Sequence, residues 1–163
     1  MGKEKDYIEE LWTLALASRL RRLLNRFLAD GEKVYRNLGL DFKVKWFPVL
    51  HLLVNHSPMI LTDIAAALGM AHPSIIEVTD DMIKRGLLIS QKSRSDRRKR
   101  EFRLSKKGGR MCDKLKPVWI AFRRAGDEIT NEFDNNFMES IKKMEMAMDR
   151  QSMYERIMVH IKR

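Results

Sequence analysis

Three consecutive segments between Thr62 and Leu104 limit the folds open to this chain. Thr62–Met70, TDIAAALGM, reads as a short Ala-rich helix whose small side chains permit close approach by a neighbour. Gly69 supplies its C-terminal stop. Pro73 suits the first turn of a second helix, where a missing N–H costs nothing. That helix runs Ser74–Arg85 until Gly86, with Ile75, Val78, Met82 and Ile83 on its apolar side. Two short helices about a tight, Gly-containing turn are the helix-turn-helix pattern. The third segment is Ser93–Arg103, in which six of eleven residues are Arg or Lys around the turn-forming pair Ser95-Asp96. Leu87–Gln91 and Glu101–Leu104 on either side read as strands, giving a β-hairpin with its charge at the tip.

A helix pair alone can be mere packing, and a charge run alone can be a solvated face or a basic localisation tract. Together, in this order, they specify a winged helix. The charge map agrees. From Lys84 to Arg110 twelve basic residues face only Asp96 and Glu101, a local excess equal to the whole net charge of +10. The remainder is neutral. A neutral body with one positive face is the footprint of a polyanion binder, with DNA the first expectation and a membrane surface the second.

The flanks read as long helices. Ile8, Leu11, Trp12, Ala15, Leu16, Leu20, Leu23, Leu24, Phe27 and Leu28 recur at three- and four-residue spacing, predicting one amphipathic helix over about Lys5–Asp30. A second segment covers about Lys43–Asn55, with Pro48 in its first turn, and Met59–Leu61 can form a brief strand. After Ser105 a helix is expected to about Asp134, kinked at Pro117, followed by one helix over about Asn136–Ile161. The expected fold class is therefore mainly α: a winged helix-turn-helix domain over 41–106, between an N-terminal helix (1–40) and C-terminal helices (107–163).

No run approaches 18 apolar residues, so no membrane span is expected, and the charged N-terminal stretch lacks the apolar core of a signal peptide. Cys112 is the sole cysteine, which excludes an internal disulfide and a cysteine zinc site. A reducing cytoplasm is the expected location. His51, His56, His72 and His160 form no metal-ligand pattern, and no phosphate-binding glycine loop is present, so neither metal nor cofactor nor catalytic constellation is expected.

Thr62-Asp63-Ile64-Ala65, Leu68-Gly69, Arg85-Gly86-Leu87-Leu88, Asp96-Arg97-Arg98, and Leu104-Ser105 followed by Gly108 stand in an order and spacing that resembles the MarR-type bacterial regulators. The resemblance covers about Leu40–Lys114. It implies a homodimer with interleaved terminal helices and two winged helices facing a pseudo-palindromic operator in double-stranded DNA. It also implies release from DNA by a small, often aromatic, anion bound between the dimer helices and the winged helix. Carried over, the helix from Pro73 enters the major groove, Asp96 braces the wing turn, and Arg94, Arg97 and Arg98 meet the duplex. Trp12, Trp46, His51, Trp119 and Phe122 are candidates for the effector cleft, each with the alternative of an ordinary core aromatic.

The chain departs from the family at the recognition helix. Relatives often carry a polar cap and an Arg there, where this chain has Ala71 and Glu77, with Asp80 and Asp81 adding further negative charge. His72 and Ser74 then become the polar contacts, Ile76 can touch a thymine methyl, and Glu77 can accept from cytosine N4. The function expected is a dimeric, sequence-specific transcriptional regulator, a repressor released by an effector, and not an enzyme. Two alternatives stay open: the regulatory half of an acetyltransferase fusion, and an interaction protein of the same fold without DNA binding.

Overall fold

The computed structural model describes residues 6–93 and 98–161. The chain forms two compact units, Met1–Asp113 and Lys114–Arg163. The first holds α1 (Tyr7–Glu10), a 3-10 turn (Trp12–Ala15), α2 (Leu16–Asn37), a second 3-10 turn (Val44–Trp46) and α3 (Phe47–His56). Then come β1 (Met59–Ile60), α4 (Leu61–Leu68), α5 (His72–Lys84), β2 (Leu88–Lys92) and β3 (Arg100–Leu104). Helix α6 (Lys106–Asn131) begins in this unit and continues into the second, with Pro117 inside it. The second unit also holds α7 (Phe137–Arg150) and α8 (Met153–Ile161). The fold is mainly helical with one small antiparallel sheet, of the winged-helix type. Among the described residues no helix is long and apolar enough to cross a membrane.

The expected punctuation holds at the centre. Gly69 caps α4 in the left-handed region at φ 61°, donating its N–H to the Ala65 and Ala66 carbonyls. Pro73 stands in the first turn of α5, and Gly86, at φ 71°, follows its last turn. Both positive φ values carry no penalty only because glycine lacks a Cβ. The sheet has the order β1-β3-β2, pairing Ser90 with Phe102 and Lys92 with Arg100 across the hairpin. Met59 and Ile60 join on the other side of β3, opposite Phe102 and Glu101. Phe102 thus sits in the middle strand, and its side chain is buried with Ile64, Ile75, Met82 and Leu87 in the core.

At the N-terminal end the single expected helix is interrupted. Asp6 caps a short α1 by accepting from the Ile8 amide at 3.1 Å, and Trp12 then takes a left-handed φ of 49°. Helix α2 resumes at Leu16 and passes through Gly31 to Asn37, beyond the expected end. A helical glycine costs about 1 kcal/mol. Burial of a large side chain contributes about 1.5–3 kcal/mol, and Tyr35, on the turn after Gly31, is buried edge-on against Phe42 at 4.9 Å. Packing outweighs propensity there.

The last helix is also two. Ser152 and Glu155 form a reciprocal cap: the Ser152 amide donates to Glu155 Oε2 at 2.8 Å, and the Glu155 amide to Ser152 Oγ at 3.2 Å. This is a Ser-x-x-Glu capping box. Arg156 Nη2 in turn donates to the Ala147 carbonyl at 2.8 Å, closing the end of α7. Ser152→Ala is expected to cost about 1 kcal/mol of α8 stability, measurable as faster amide hydrogen exchange confined to that helix.

Candidate nucleic-acid interface

Helix α5 divides cleanly into two sides. Ile75, Val78 and Met82 are buried, as is Thr79, whose hydroxyl donates to the Ile75 carbonyl at 2.8 Å. His72, Ser74, Ile76 and Glu77 are exposed. The Ser74 amide bonds back to the Ala71 carbonyl at 3.0 Å, so Ser74 offers its hydroxyl, not its N–H, to an outside partner.

Each flank of this exposed side carries cations. On one flank the second 3-10 turn lies against α5. Lys45 Nζ donates to Glu77 Oε1 at 2.6 Å, and Lys43 Nζ donates to Asp81 Oδ2 at 2.7 Å. The Trp46 indole N–H reaches the same Asp81 oxygen at 3.1 Å. The Lys45 ammonium holds the Glu77 carboxyl below its ordinary range, and Glu77 raises Lys45 in return. Asp81 is likewise lowered, chiefly by Lys43 and then by Trp46, against the opposing effect of burial. Two acids that from sequence appear to oppose a polyanion are therefore charge-paired. Lys43 and Lys45 lie outside the predicted site, 38 and 32 residues from their partners, a separation no local periodicity encodes.

The other flank is the root of the wing. A cavity of about 310 Å³ lies between Ile60–Thr62, the Ile76–Asp80 side of α5, and Arg98–Phe102. Its floor is apolar and its wing side basic. Arg100 is fixed by an Nε bond to Ser90 Oγ at 2.9 Å and lies over the Phe102 ring. Arg98 is exposed on the approach to the wing tip. Arg94, Asp96 and Arg97 lie outside the described residues.

Beneath the wing, Ser105 explains the Leu-Ser-x-x-Gly motif. Its Oγ donates to the Gly86 carbonyl at 2.6 Å and accepts from the Gly108 amide at 2.9 Å, while its own N–H donates to the Leu87 carbonyl at 3.0 Å. Lys107 Nζ adds a bond to the Arg85 carbonyl at 2.7 Å. Arg85 itself grips both oxygens of Asp41 at 2.8 Å.

The five candidate effector residues do not share one environment. Trp46 is wholly buried and committed to Asp81; Trp12 is 72% exposed at the α1–α2 break; His51 is exposed beside Phe47, ring centroids 5.4 Å apart. Trp119 and Phe122 lie on α6 in the second unit. Among the described residues no group of His, Cys, Asp or Glu could hold a metal ion.

Residues 38–99 match the MarR family by sequence. The fold is similar to that of the transcriptional repressor CouR bound to a 23-mer DNA duplex, at 22% identity and TM-score 0.66, covering 91% of this chain and 99% of that one. It is also similar to the PcaV transcriptional regulator from Streptomyces coelicolor in complex with its natural ligand, at 19% identity and TM-score 0.65, covering 93% and 99%. A mutant of MarR from E. coli complexed with operator DNA aligns at 15% identity and TM-score 0.65, over 88% and 99%. No curated protein sequence matches the chain.

Proposed function

We propose, from the premise that this chain's winged helix belongs to the MarR family of transcriptional regulators, that it is a dimeric repressor which binds operator DNA and is released by a small aromatic or anionic effector. It acts by binding and not by catalysis. The observation that carries this reading is helix α5, anchored by Ile75, Val78 and Met82, exposed on its opposite side and flanked by cations on both edges. DNA-bound relatives of the same fold support it. In this reading His72, Ser74, Ile76 and Glu77 face the major groove, while Arg94, Arg97 and Arg98, braced by Asp96, reach the backbone or minor groove.

Residues 1–40 and 107–163 supply the dimer contacts. The apolar stripe of α2 supports this, since Leu20, Leu23, Leu24 and Phe27 remain 46–58% exposed in the single chain. The cavity beside Ile76 and Arg98 suits a small aromatic anion: its floor is apolar, its rim is basic, and an occupant would crowd two proposed DNA contacts.

Replacing Arg97 and Arg98 together by Ala tests the wing. If the pair neutralises about two phosphates per subunit, the dimer loses about four, and the slope of log affinity against log salt falls by roughly 3.6. Specific and non-specific duplexes should be affected alike. An unchanged slope removes the hairpin from the interface.

A further inference from the structure

Lys45 precedes the helix-turn-helix pair in sequence, yet the fold places its ammonium at the exposed side of α5, 2.6 Å from Glu77. The residues on either side of it are anchored. The Val44 amide donates to Glu32 Oε1 at 2.8 Å, Trp46 has no exposed surface, and Lys43 and Trp46 both bond Asp81, one turn along α5 from Glu77. The lysine therefore has a fixed origin beside the recognition helix.

A carboxylate on a groove-facing helix meets two difficulties at a duplex. It is repelled by phosphates, and its long side chain has no set direction. A cation on one oxygen meets both, because it makes the pair neutral and fixes the carboxylate plane. A carboxylate has about four lone-pair sites, so an acceptor remains for an incoming donor. In the major groove the donor that suits a lone carboxylate is the amino group of cytosine.

We propose, building on the DNA-binding reading above, that Lys45 is a positioning residue for base recognition, holding Glu77 as the acceptor for a cytosine amino group. Its role is not that of one more phosphate contact.

The test uses the full chain and the duplex that wild type selects from a random pool. Affinities are measured for Lys45→Ala, Lys45→Arg, Glu77→Gln and the Lys45→Ala/Glu77→Gln double variant, each also with the selected cytosine pair replaced. Lys45→Ala should weaken the selected duplex about 10-fold and abolish the cytosine preference at one symmetric position per half-site. Lys45→Arg should retain both. In the Glu77→Gln background the same Lys45→Ala change should cost less than about 3-fold, since the charge it compensates is gone. A phosphate contact would behave otherwise: equal loss in both backgrounds and on every duplex, with the salt slope lowered by roughly 1.8 for the dimer. That result, or a cytosine preference that survives Lys45→Ala, overturns the proposal and leaves the DNA-binding reading standing. A wild-type chain that selects no duplex defeats that reading, and the proposal with it.

Discussion

Gly108→Ala is expected to destabilise the protein by roughly 3 kcal/mol, while the same change one residue later should stabilise it by up to about 1 kcal/mol. A Cβ built on Gly108 runs into the carbonyl oxygen of Leu87 and closes on its carbon at 3.1 Å. That carbonyl cannot recede, because it accepts the Ser105 amide. Nor can the helix start retreat, since Ser105 Oγ already joins Gly86 to Gly108. A Cβ on Gly109 meets nothing within 4 Å, so only the helical entropy gain remains. Urea denaturation of the two variants should move the midpoint in opposite directions. A neutral Gly108→Ala would mean that the chain does not need this close approach.

Leu24→Glu combined with Phe27→Glu is expected to give a folded monomer at micromolar concentration and to lower operator affinity by at least about 100-fold. The two side chains are 54% and 58% exposed in the single chain, so folding of one copy does not require them. Burying the exposed half of each in a dimer contributes about half of the 1.5–3 kcal/mol of full burial, roughly 0.8–1.5 kcal/mol. The four lost across a two-fold axis therefore amount to about 3–6 kcal/mol, before the cost of burying four carboxylates, against the roughly 8 kcal/mol that a micromolar dimer represents. Light scattering reads the assembly. A dimer that persists in this variant would move the interface away from α2.

The parts of this architecture visible in the sequence are those written in local chemistry. Gly69, Pro73 and Gly86 bound the two helices as read, and the 3.6-residue period assigns Ile75, Val78 and Met82 inward and Ser74, Ile76 and Glu77 outward. Strand β2 is shifted by one residue at both ends from expectation, and β3 begins one residue earlier. What is missed depends on distance or on competition between signals. The pairing of Lys45 with Glu77 and of Lys43 and Trp46 with Asp81 needs the tertiary fold, so two acids read as liabilities turn out to be compensated. Trp46, a cleft candidate with a core alternative in the sequence, is buried and bonded to Asp81, a partner that no local pattern encodes. The break at Ser152 is a legible capping box, but the apolar period running from Phe137 to Ile161 crosses it without a gap. The break at Trp12, where φ is 49°, has no such local sign in the sequence.

The bonds beneath the wing also fix a length. Arg85, Gly86 and Leu87 end α5 and lead into β2; Ser105 and Lys107 leave β3 and open α6; and the carbonyls of the first three accept from the last two. Helix α5 and the hairpin thus spring from one hydrogen-bonded hub. If α5 and the hairpin are the two DNA contacts proposed above, bonds at this hub resist their opening to follow a duplex whose grooves lie too near or too far apart. In that proposal the strain of a poor match falls on the nucleic acid, and base steps that neither element touches are expected to influence which duplexes are held.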